Sequence, residues 1–303
     1  MGTSPSFKST DWQEFKKTAS IDTARNASDI FKSRKTDSSF LPYKITRECV
    51  YCDAHPKATP IIIDLDVTGS MERLLTSMAK ELGKTMEEIL TRKSVPDPEI
   101  LFGATDDFLT SEEECLQVTQ FEPDIKIAEE MTKLNFLERG GGNSFESYEM
   151  LWYFAARHTK CDAFKDGRKG FLFTIGDDGY PKTIKKEQVK EIFGDDIGED
   201  IPVSVIIDEL SKNWEIFHIT MTNGGSYREG LKHNWTTLLG ERALFVDSVE
   251  NVSKVIVSTI DVLGGKDMDT IVKDWDNSTA IAVKNTLSGL VPAEKNSNDI
   301  VVF

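Results

Sequence analysis

Asp66, Thr68 and Ser70 occupy alternate positions in the stretch "IIIDLDVTGSM", and a further acid, Asp64, stands two residues before them. Carboxylates emerging from an apolar, β-branched run need partners, because an unpaired acid at the edge of a hydrophobic core is costly. Either these side chains cap the next helix or they hold a positive charge. Two other stretches offer the same chemistry. "GGGNSFE", Gly140 to Glu146, is a glycine-rich turn opening a helix, and "GDDGYP", Gly176 to Pro181, follows the apolar run "FLFTI". Asp66, Thr68, Ser70, Asn143, Glu146, Asp177 and Asp178 together supply only oxygen donors. Hard donors in that number suit Mg²⁺, with Mn²⁺ or Ca²⁺ as substitutes, and do not suit zinc.

Such residues converge only if the fold brings three loops together. "TPIIIDLD", "EILFGATDDF", "KGFLFTIGDDG", "WEIFHITM" and "RALFVD" read as buried strands, and "CLQVTQF" as a shorter one. Between them lie helical patterns, among them "MERLLTSMAKELGKTMEEILTRK", "DIKIAEEMTKLNFLE", "SYEMLWYFAARH", "TIKKEQVKEIFG" and "YREGLKHNWTTLLG". Alternating strands and helices predict an α/β, doubly wound, mostly parallel sheet with helices on both faces. Ligands of such sheets bind at the carboxyl ends of the strands, where all three loops fall. The expected organisation is a polar N-terminal arm over 1–57, an α/β domain over 58–265 and a helical C-terminal extension over 266–303.

Each loop also has a plain structural reading. Thr68 or Ser70 could cap a helix, but Met71 and Arg73 stand where a capping box wants Glu or Gln. Asp177 and Asp178 could be ordinary turn residues, and "GGGNS" a linker. The order of the three motifs resembles a known family. "DVTGSM" after a hydrophobic strand is similar to the metal-ion-dependent adhesion site of von Willebrand factor A domains, whose pattern is Asp-x-Ser/Thr-x-Ser. "GGGNSFESYE" resembles the variant in which a glutamate is the fourth ligand, and the acid after the next core strand is similar to Asp177, although Asp178-Gly179 could align instead. The resemblance covers roughly residues 58–250 and extends, through "LQVTQFEPD" and "AARHT", to stand-alone members from bacteria and their phages. It implies a metal site of Asp66, Thr68, Ser70, Glu146 and Asp177. It also implies a cation with one open position that a carboxylate of a protein partner completes. Asp64 departs from the family, which usually has an aliphatic residue there; it reads either as an acid that orients the ligands or, the favoured expectation, as a buried acid paired with a basic group.

The bulk composition narrows the function classes. A formal net charge of -15 argues against a nucleic-acid-binding face, which needs a basic surface. No stretch approaches the about 18 apolar residues of a membrane span, and the first residues have no apolar h-region. A cytoplasmic location follows as the expectation, with four reduced cysteines. Cys49-x-x-Cys52 with His55, joined by His158 and Cys161 on one helix face, could form a zinc site, but the spacing is unlike compact zinc modules. His218 and His233 have no triad partners nearby in sequence, and no Walker A or GxGxxG pattern occurs. The leading expectation is a non-enzymatic, Mg²⁺-dependent protein-binding module. The alternatives are a metal-dependent phosphoester hydrolase with Asp64 as base, and a structural component of a phage or bacterial assembly; a homo- or hetero-oligomer fits either role.

Overall fold

The computed structural model describes residues 7–33, 35–136, 144–224 and 226–290. Six strands form the central sheet: β1 (Thr59–Asp66), β2 (Pro98–Thr105), β3 (Leu116–Val118), β4 (Gly170–Gly176), β5 (Trp214–Met221) and β6 (Ala243–Val246). Their order across the sheet is β6-β5-β4-β1-β2-β3, all parallel except the short edge strand β3, which runs antiparallel to β2. The main helices are α1 (Glu72–Arg92), α2 (Tyr148–Arg157), α3 (Val203–Leu210), α4 (Glu229–Leu239) and α5 (Val252–Leu263). This is the doubly wound α/β architecture expected. The run "VSVIIDEL" is helix α3, although its β-branched residues favour a strand in isolation.

Alternation along each strand divides the core into two layers. Ile61, Ile63 and Leu65 of β1 join Ile100, Phe102, Phe171, Phe173, Phe217 and Ile219 in one layer, covered by α1 and α5. Ile62, Leu101, Leu172 and Ile216 begin the opposite layer, against α2, α3 and α4. That second face changes character along the strands. Past those four apolar residues it carries Asp64 and Asp66 on β1, Gly103 and Thr105 on β2, Thr174 and Gly176 on β4, and His218 and Thr220 on β5, all in register. The apolar floor thus gives way to a buried polar stripe that runs to the carboxyl end of the sheet.

The N-terminal segment packs into the first layer through Trp12, Ile21, Ile30 and Phe31. It carries a helix at Ser9–Thr18 and a short one at Ala27–Ile30, the latter closed by a capping box between Asn26 and Asp29. Nearer the domain, Arg47–Cys49 pairs in parallel with Thr159–Cys161. His158 and Cys161 therefore do not share a helix face: α2 ends at Arg157 and the chain turns into a strand. At the end of the sheet away from the acidic loops, Arg92 of α1 and Lys266 both pair with the fully buried Asp261 of α5, at 2.9 and 2.6 Å. The Arg92 guanidinium also lies 4.5 Å over the Trp275 ring, joining the C-terminal helices Met268–Val272 and Asn277–Thr286 to the domain. Among the described residues no helix is long and apolar enough to cross a membrane.

Candidate functional site

The strand order reverses at β1, since the chain proceeds to β2 and β3 on one side and to β4, β5 and β6 on the other. A crevice opens at such a switch point, beyond the carboxyl ends of the two central strands. Asp66 is the last residue of β1, and Leu65 lies in register with Ile175 of β4. Asp177, the residue after β4, is therefore carried to the same end of the adjacent strand.

Asp66 is fully buried and highly organised. Its Oδ1 accepts the Thr68 amide at 2.9 Å and the Thr68 hydroxyl at 2.6 Å, and its Oδ2 accepts the Tyr148 hydroxyl at 3.1 Å. The Thr68 proton is thus given to Asp66, and any further partner meets that oxygen as an acceptor. The Thr68 carbonyl accepts the Met71 amide at 3.0 Å. The side chain of Ser70 lies outside the described residues, as do Gly140–Gly142 and Asn143.

Backbone pairing brings in the third loop. Phe145 bridges Gly179 in parallel, the Glu146 amide donates to the Gly179 carbonyl at 3.1 Å, and the Gly179 amide donates to the Ser144 carbonyl at 3.3 Å. Glu146 is thereby fastened beside the loop that follows β4. Its Oε2 is buried and has no hydrogen-bond partner among the described residues. Between the two acids of that loop the roles divide. Asp177 is fully buried, accepts the Ser226 amide at 3.0 Å and is the acid that bears on Asp66. Asp178 accepts the Gly179 amide at 2.8 Å within its own turn and lies 3.7 Å from the half-exposed Arg228.

The electrostatics agree with this crowding. Burial pushes the Asp66 carboxyl above its ordinary range, the Thr68 hydrogen bonds oppose that, and Asp177 adds to it. Burial also raises Glu146, reinforced by Asp66, Asp106, Asp107 and Asp178. Two of those acids, Asp106 and Asp107, follow β2 and were not picked out from the sequence, although the end of a strand adjacent to β1 is where a loop ligand belongs. Tyr148 and Ser226 are further additions. The carboxylates of Asp66, Glu146 and Asp177 do not all approach within 4.8 Å of one another; the described acids that do are the exposed Glu112, Glu113 and Glu191.

Among the described residues Asp64 has no basic partner of the kind expected. It is fully buried, and the Thr105 hydroxyl lies 2.9 Å from each of its oxygens. Burial lifts it to about 8, opposed by the Thr105 hydrogen bond and aided by Asp66. A group so enclosed cannot meet a substrate as a base. Two of the prospective zinc ligands are otherwise disposed: His158 uses Nδ1 on the Ile45 carbonyl and Nε2 on Asp195, and Cys52 is exposed.

No protein-family model matches the sequence, and no curated protein matches it. Solved structures give distant likenesses. A pilus adhesin, SpaC, from Lactobacillus rhamnosus GG aligns over 71% of this chain at 12% identity with a TM-score of 0.48, and this chain spans 31% of the adhesin. An aerotolerance-related membrane protein from Bacteroides fragilis NCTC 9343 aligns over 67% of this chain and 98% of its own length, at 11% identity and a TM-score of 0.39. A conserved hypothetical protein BatB from Bacteroides thetaiotaomicron gives 67%, 97%, 12% and 0.41 for the same quantities. At such values the likenesses carry no argument about function, and the fold rests on the strand order above.

Proposed function

We propose that the chain is a von Willebrand factor A-like, non-enzymatic module that binds a protein partner through a divalent cation, Mg²⁺ by preference. Asp66, Thr68, Ser70, Glu146 and Asp177 would hold the ion. The observation that carries the reading is the buried Glu146 carboxylate, whose Oε2 has no hydrogen-bond partner among the described residues, held against the loop that follows β4 and acted on by Asp66. Buried acids held above their ordinary range gain most when a cation enters among them. The donors are three carboxylates and two hydroxyls, which fits Mg²⁺. Their spacing suits acids that reach the ion partly through water, leaving its charge poorly neutralised, so that a partner carboxylate gains strongly by joining.

The rim favours a protein over a small solute. Leu109 is 70% exposed in the short helix that ends the loop carrying Asp106 and Asp107, and Phe145 is 41% exposed on the loop carrying Glu146. The two loops are linked by the Phe108 amide donating to the Ser147 hydroxyl at 3.0 Å. A partner offering an acidic side chain flanked by apolar residues would match both features. Thermal unfolding with Mg²⁺ and with chelator tests the reading. Mg²⁺ should raise the Tm of the wild-type chain, and Asp66→Asn, which keeps the hydrogen-bonding shape, should remove that increase. Equal Tm with and without Mg²⁺ up to millimolar concentrations would overturn it.

A further inference from the structure

The sequence pairs Cys49 with Cys52 by spacing, yet the fold gives Cys49 a different neighbour. Arg47–Cys49 and Thr159–Cys161 run parallel with Arg47 opposite Thr159, Glu48 opposite Lys160 and Cys49 opposite Cys161. Burial alternates identically on the two strands, so that Glu48 and Lys160 are exposed while Cys49 and Cys161 turn into the core. Register partners on neighbouring strands lie about 4.8 Å apart with side chains on one face. That spacing falls within the about 4.4–6.8 Å separation of Cα atoms that a disulfide spans. Cys161 and Glu99 both bear on the Cys49 thiol. All four cysteines are free thiols in this structure, and Cys52 alone is exposed.

We propose that Cys49 and Cys161 form a reversible, buried disulfide pair that fastens the N-terminal segment to the α/β domain. A disulfide or diazene oxidant accepts two electrons and two protons from the two thiols. The S–S bond forms, and the oxidant leaves as two thiols or as a hydrazine. The reaction requires local opening, since the Cys161 thiol, burial and the neighbouring Glu99 disfavour the Cys49 thiolate. Once formed, the bond closes the chain from residue 49 to residue 161 and holds the strand that follows α2. It would be stable in an oxidising compartment and reversed by glutathione in a reducing one.

The test is oxidation of the full chain with diamide, then denaturation, alkylation, proteolysis and mass spectrometry. The expected product is a peptide linking Cys49 to Cys161, with Cys52 and Cys115 alkylated. Oxidation should raise Tm by about 5–10 °C, given the length of the closed loop. Cys52→Ser should leave link and increase intact, and Cys161→Ala should abolish both. A Cys49–Cys52 peptide, intermolecular links only, or four alkylatable thiols after prolonged oxidation would each overturn the proposal.

Discussion

The Tyr148 hydroxyl donates to Asp66 Oδ2 at 3.1 Å, joining the first turn of α2 to the last residue of β1. Glu146 lies two residues before Tyr148, so this one hydrogen bond couples the acid loop ahead of α2 to the central strand. Tyr148→Phe removes the donor and leaves a buried carboxylate oxygen with one partner fewer. The loss should be about 1–3 kcal/mol of stability, read by urea denaturation. It should also weaken any Mg²⁺-induced rise in Tm, because Asp66 would be less well oriented.

The same contact explains why residue 176 is glycine. A Cβ there would collide with the Tyr148 hydroxyl and crowd Asp66 Oδ2 at 2.9 Å. Gly176→Ala should therefore destabilise the chain by about 1–3 kcal/mol, an overpacking cost. Pairing it with Tyr148→Phe should recover part of that loss, and a double-mutant cycle in urea measures how much.

Asp64 should give the protein a falling stability as pH rises. Its carboxyl is held up to about 8 in the folded chain against 3.8 for the ordinary group. Between those values the folded state binds more protons than the unfolded one. The contribution is complete below about pH 4 and is lost as pH climbs through about 8. Asp64→Asn should reduce this slope by up to about 1.4 kcal/mol per pH unit. Urea denaturation at pH 5, 6.5 and 8 decides the matter; identical slopes in the two proteins would refute the assignment.

Asp261 presents the opposite case, an acid whose charge is matched. It is fully buried between Arg92 and Lys266. Asp261→Asn leaves two cations facing a neutral amide and should cost about 3 kcal/mol or more. Chemical denaturation measures the loss, and near-ultraviolet circular dichroism of Trp275 should report the loosening of the Arg92 stack.

The architecture was legible because buried parallel strands are continuous apolar runs. "TPIIIDLD" and "GFLFTIG" declare themselves in this way. The acids at their ends were legible for the same reason, since a charge directly after such a run stands out. Asp106 and Asp107 were harder to see: they follow an equally clear strand but fall outside the three motifs that carry the resemblance. The partner of Asp64 was out of reach, because Thr105 is forty-one positions away and only strand register joins them. Helix α3 was hidden by composition, its Val and Ile residues favouring a strand until tertiary packing against α2 decided the outcome.

Trp12, Ile21, Ile30 and Phe31 occupy the same apolar layer as the central strands. Trimming the chain to begin at β1 would therefore uncover the underside of α1 and leave a greasy scar where those rings had been. Such a shortened protein would be expected to clump or precipitate for reasons unrelated to its metal loops. Any search for the partner is best made with the leading segment attached, so that false stickiness is not mistaken for recognition.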